Sequence, residues 1–159
     1  MKIYIILIMN IFAFISCTEN KPLTNNDMIG SWKTTMHNTS DDITLKESID
    51  ETYYKDNQFR GTGKLDIYME SENFPSITVT YKEYGNWSVK NNQFIKQYTK
   101  YDIITYSTLN GLMSSDEFDK EMQDSLDEPD VFDVKIQSFN NITLIENEDK
   151  MKYELIRTK

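Results

Sequence analysis

The sequence predicts a mainly β protein: an eight-stranded antiparallel up-and-down barrel with one short helix inserted between strands 5 and 6. Three observations predict it. Period-two alternation of apolar and polar residues recurs from Ile29 to the end of the chain. Turns rich in Asn and Asp cut that stretch into eight runs. One segment alone changes to a helical period. Eight antiparallel strands in chain order would leave two adhesive edges as an open sheet, and closure removes both. An eight-stranded barrel has an interior that is either packed or holds one small ligand.

The first run covers residues 30–36 and opens Gly30-Ser31-Trp32. The second, 45–54, is closed by Lys55-Asp56-Asn57, and the third, 58–69, is broken by Ser71-Glu72-Asn73-Phe74-Pro75. The fourth, 76–89, ends at Asn91-Asn92, where the fifth, 93–104, begins. The helix follows: Ser114 and Glu117 form a capping box, Phe118, Met122 and Leu126 share one face, and Pro129 ends it. Its other face carries Asp116, Asp119, Glu121 and Asp124, without the carboxylate spacing of a calcium loop. Strands at 131–139, 142–146 and 151–157 complete the set, separated by Asn140-Asn141 and Asn147-Glu148-Asp149.

Parity assigns the faces. Trp32, Thr34 and Met36 point inward from the first strand, and His37 points out. Phe59, Gly61, Gly63, Leu65, Ile67 and Met69 share the inner face of the third, and Met151, Tyr153, Leu155 and Arg157 that of the last. Two strands place acids among inward apolar residues: Glu47 and Glu51 beside Tyr53, and Glu83 beside Tyr81. A carboxylate in a dry core costs several kcal/mol unless it is paired or protonated. Either the interior is wet near Glu47, Glu51 and Glu83, or a bulge or open rim takes them out of it; the second is the preferred expectation.

The start of the chain reads as a targeting segment. Lys2 precedes an apolar run from Ile3 to Ile15, too short to span a bilayer at about 20 residues, so residues 1–16 are expected to be a signal peptide. Phe14-Ile15-Ser16-Cys17 resembles the lipobox of bacterial lipoproteins. The resemblance implies that Cys17, the only cysteine, becomes the lipidated first residue and holds the protein at a membrane. Residues 17–28 are expected to be a polar tether and 29–159 the barrel domain. The expected location is the bacterial cell envelope, at the outer membrane, facing periplasm or cell surface.

Composition narrows the function. With 17 Lys plus Arg against 26 Asp plus Glu the net charge is -9, which excludes nucleic-acid binding through bulk positive charge. One Cys and one His leave no internal disulfide, no cysteine zinc cluster and no multi-imidazole site. A Ser-His-Asp group would have to use His37, whose parity is outward. No catalytic, cofactor-binding or metal-ligating residue is therefore assigned.

Gly30-Ser31-Trp32, the second Gly-x-Trp at Gly85-Asn86-Trp87, the hairpin Tyr54-Lys55-Asp56-Asn57-Gln58-Phe59 and the ending Tyr153-Glu154-Leu155-Ile156-Arg157 together resemble the lipocalin-like domain of small bacterial lipoproteins, in the calycin group. The resemblance implies that Trp32 closes the base of the barrel with Arg157 packed across it. It also implies non-enzymatic binding of a small apolar or amphipathic ligand. The residues expected to line the cavity are Tyr53, Phe59, Ile67, Met69, Tyr81 and Glu83. The alternative is an acidic interaction protein that blocks a basic partner, such as a toxin or a lysozyme, through residues 116–133.

Overall fold

A computed structural model of the protein describes residues 22–40, 42–69, 75–109, 111 and 113–158. The expected signal peptide and Cys17 lie outside the described residues. Eight strands follow in chain order: β1 (Gly30–Ser40), β2 (Ile43–Tyr53), β3 (Gln58–Met69), β4 (Ile77–Lys90), β5 (Gln93–Thr108), β6 (Asp130–Ser138), β7 (Asn141–Glu146) and β8 (Lys152–Arg157). Each pairs antiparallel with its neighbour in sequence, and β1 pairs with β8, so the sheet closes on itself as an up-and-down barrel. The turns use left-handed backbone at Asn57, Asn91, Asn92 and Lys150. Asparagine tolerates that region because its short polar side chain can hydrogen-bond locally.

The helix falls between strands 5 and 6. α2 (Ser115–Asp124) runs on into a 3-10 turn at Ser125–Asp127, and Ser114 and Glu117 make the reciprocal capping bonds. A shorter helix, α1 (Asn25–Met28), precedes β1. Here the expected tether is corrected. Leu23 and Met28 are buried, Asn92 accepts from the Leu23 amide at 3.3 Å, and Asn25 accepts from the Val89 amide at 2.8 Å, so the packed domain begins at Leu23. Two apolar residues isolated in a polar stretch show no periodicity, yet each fills the barrel's base.

That base is an aromatic core. Trp32, Tyr53, Phe59, Trp87, Phe94 and Phe132 pack there against Leu23 and Met28. The Trp32 indole donates to the Met28 carbonyl at 2.7 Å. Arg157, the register partner of Trp32, lies with its guanidinium 4.2 Å from the indole centroid and donates to the carbonyls of Ile29 and Asp27. A second core at the opposite end joins Ile77, Val79, Tyr81 and Tyr101 to Phe118 of α2.

The wall is thinnest between β5 and β6, which pair only from Gln93↔Asp133 to Lys96↔Asp130. Beyond that point α2 and the 3-10 turn lie along the free edge of β5. The Gln97 side chain donates to the Leu126 carbonyl at 2.7 Å and Gln123 to the Tyr101 carbonyl at 3.4 Å. The inserted helix thus covers an edge that would otherwise present unpaired backbone.

Candidate functional site

Between the aromatic base and α2 the barrel interior holds a partly open cavity of about 320 Å³. Its polar wall is built by four strands. Ile49, Glu51 and Tyr53 of β2 are buried, as are Tyr81 and Glu83 of β4, Thr34 of β1 and Lys96 of β5. The strict alternation of β3 contributes by absence. A Cβ on Gly61 would stand 2.7 Å from Glu83 Oε1, and one on Gly63 2.6 Å from the Tyr81 hydroxyl. Glycine at both positions leaves room for these two β4 side chains to fold inward.

The expectation that a bulge or rim removes the acids from the interior is corrected for Glu51 and Glu83. The β4–β5 ladder does shift register twice, between Thr80 and Tyr81 and between Tyr84 and Gly85. Both extra residues, Ile104 and Thr99, fall on β5 and are exposed. β4 therefore keeps its parity from Ile77 to Trp87, and Glu83 stays inside.

Pairing compensates the burial. Lys96 Nζ lies 2.6 Å from Glu51 Oε1 and 3.2 Å from Glu83 Oε1. Glu51 also accepts from the Thr34 hydroxyl and, at 2.9 Å, from the Tyr53 hydroxyl. The ammonium sits over the Phe59 and Tyr98 rings at 4.6 and 4.8 Å. Burial alone would depress the lysine pKa, but the Glu51 and Glu83 charges override it and hold Lys96 well above its usual value. Burial likewise opposes ionisation of Glu51, where the Lys96 charge prevails and lowers its pKa. Glu83 is pushed well up by burial and, beyond the attraction of Lys96, by the Glu51 charge; it shares a hydrogen bond with Glu51. The cluster is one lysine shared by two glutamates, the nearer with its pKa lowered and the farther with its pKa raised.

Glu47 lies two inward positions beyond Glu51 on β2, further from the base. It accepts a hydrogen bond from the Tyr81 hydroxyl, and burial raises its pKa. Asp130, at the start of β6, is raised by the same cause. Met122 and Ser125 bring α2 and the 3-10 turn onto the cavity wall, while Leu144 and Leu155 supply an apolar side. Among the described residues no three His, Cys, Asp or Glu side chains are placed to hold a metal ion.

Of the residues expected to line the cavity, Tyr53, Tyr81 and Glu83 stand on its wall. Phe59, Ile67 and Met69 do not, which corrects that expectation. Phe59 is absorbed into the base, 5.8 Å from the Tyr53 ring and 5.5 Å from Tyr98. Ile67 packs into the second core, and Met69 is half-buried at the end of β3. Parity gives the face of a side chain but not its height along the barrel. Lys96, Tyr98, Tyr101 and Asp130 were not anticipated. Continuing the inward series from Phe94 through Lys96 to Tyr98 would have found the first two. His37 is exposed on the outer face.

No family model matches the chain, and no curated protein matches its sequence. The site itself is the basis for a functional reading.

Proposed function

We propose that this protein is a non-enzymatic binding barrel, held at a membrane of the bacterial cell envelope through a lipid on Cys17, that takes one small amphipathic molecule into its interior. A β-barrel of this form is compatible with a lipocalin-like binding protein. The observation that carries the reading is the interior cavity of about 320 Å³, room on the order of ten heavy atoms, walled by apolar residues and a few convergent polar groups. Leu144, Leu155 and Phe132 suit an apolar group, and Glu47, Tyr81 and Tyr101 a polar one. The outward position of His37 supports binding rather than nucleophilic catalysis.

Native mass spectrometry of the chain from its own host, carrying Cys17→Ser and purified without detergent, tests the reading. The expected result is a discrete mass shift that disappears on denaturation. A bare chain mass, with no shift on adding an envelope lipid and metabolite extract, would overturn it.

A second reading has its own support. Asp116, Glu117, Asp119, Glu121 and Asp124 are exposed on α2, a face that suits a basic protein partner. Association with such a partner should slow markedly between low and high salt, and salt-independent association would remove this reading.

A further inference from the structure

The acidic side chains on the cavity wall outnumber the basic ones. Glu47, Glu51, Glu83 and Asp130 face a single ammonium, Lys96, and that ammonium is already held by Glu51 and Glu83. Among the described residues Glu47 and Asp130 have no basic side chain within ion-pair distance. Glu47 has the Tyr81 hydroxyl as its hydrogen-bond donor, and Asp130 has that of Tyr98. Both donors are neutral, so both acids lack a counter-charge in contact.

Tyr101 supplies a second, independent observation. It is 8% exposed and stands on the cavity wall, its ring stacked on Tyr98 at 5.0 Å and edge-on to Tyr81 at 6.1 Å. Its hydroxyl makes no hydrogen bond among the described residues, whereas the hydroxyls of Tyr53 and Tyr81 are both engaged. The phenol is thus available to donate to, or accept from, a group that enters the cavity. Tyr81 and Tyr153 also stand on the cavity wall, and aromatic rings attract cations.

Resting on the reading of the cavity as a ligand site, we infer that its ligand is a small organic cation: a primary ammonium on an apolar group, with the ammonium at Glu47 and the Tyr101 hydroxyl and the apolar group against Leu144 and Leu155. A primary ammonium brings N–H donors to the Glu47 carboxylate and the Tyr101 oxygen together. An anionic ligand, including a fatty acid carboxylate, would meet uncompensated acids. Among the described residues no three His, Cys, Asp or Glu side chains are placed to hold a metal ion instead. Burial holds the Glu47 carboxyl up while the cavity has no added cation, and an ammonium reverses that balance.

Three molecules of one shape test the inference: phenethylammonium, 2-phenylethanol and 3-phenylpropionate, titrated calorimetrically at neutral pH into the Cys17→Ser chain. The ammonium should bind about tenfold or more tighter than the alcohol, in line with a charge-assisted hydrogen bond, and the carboxylate should not bind. Glu47→Gln should erase the ammonium's advantage over the alcohol. The comparison among the three ligands stands even if that variant fails to fold. Alcohol binding as tight as the ammonium, or preferred carboxylate binding, would overturn the cation while keeping the cavity as a ligand site. Binding of none would also overturn the cation. The native mass spectrum then separates the two readings, since a neutral or anionic host-derived ligand keeps the binding barrel and a bare chain removes both.

Discussion

Lys96 and Glu51 lie 2.6 Å apart inside the barrel, with 4% and 2% of their surfaces exposed. They come from strands that are not neighbours, so the contact crosses the interior. It is the polar counterpart of the aromatic base beneath it, and Glu83, Thr34 and Tyr53 converge on the same pair.

Removing the cation alone should be severe. Lys96→Met leaves the Glu51 charge buried without a partner and should cost about 3–5 kcal/mol, read from the urea midpoint. Replacing Lys96, Glu51 and Glu83 together by apolar residues of similar volume should recover most of that loss. A Lys96→Met barrel as stable as the parent would show that the pair is not held as described.

Closure of the base rests on Arg157 and Trp32. Arg157→Ala loses the stacked cation and two bonds to the carbonyls of Ile29 and Asp27, and should cost about 2–3 kcal/mol. Arg157→Lys keeps the charge but not the planar fork and should recover less than half of that. Thermal unfolding of the two variants checks the order.

Glu146 should make stability depend on pH. Burial, with Asp130 and Asp149 nearby, raises its pKa to about 7 from 4.5. The folded state then binds the proton more tightly than the unfolded one, so this stabilisation is present below about pH 4.5 and is lost as pH rises through about 7. Glu146→Gln should flatten the stability–pH curve across that window. Identical slopes for the two proteins would contradict the assignment.

Gly63→Ala tests the room made for the β4 side chains. The added methyl would stand 2.5 Å from Tyr81 Cζ, and that ring is pinned by its bond to Glu47. A loss of about 1–3 kcal/mol is expected, along with a smaller cavity. Unchanged stability and an unchanged crystal structure around Tyr81 would count against the packing described.

The sequence carried the fold because its two local signals agree with the global one. Alternation in β1 to β4 places Trp32, Ile49, Gly61 and Glu83 on the face they occupy, and the capping box at Ser114 marks the helix. The site was less legible. β5 changes parity at Thr99 and again at Ile104, so one alternation does not run from Lys96 to Tyr106. Tyr101, on the cavity wall, lies beyond the first of these shifts. The height of Phe59 and Ile67 along the barrel, and the burial of Leu23, depend on packing between elements distant in sequence, which periodicity does not encode.

The most direct test is a crystal structure of the Cys17→Ser protein purified from its own host without detergent. The account predicts discrete density for one small molecule between Glu47, Tyr101 and Leu155, with Lys96 still on Glu51 and Glu83. A chamber filled by its own side chains, with Tyr81 and Tyr101 turned into the space, would contradict it.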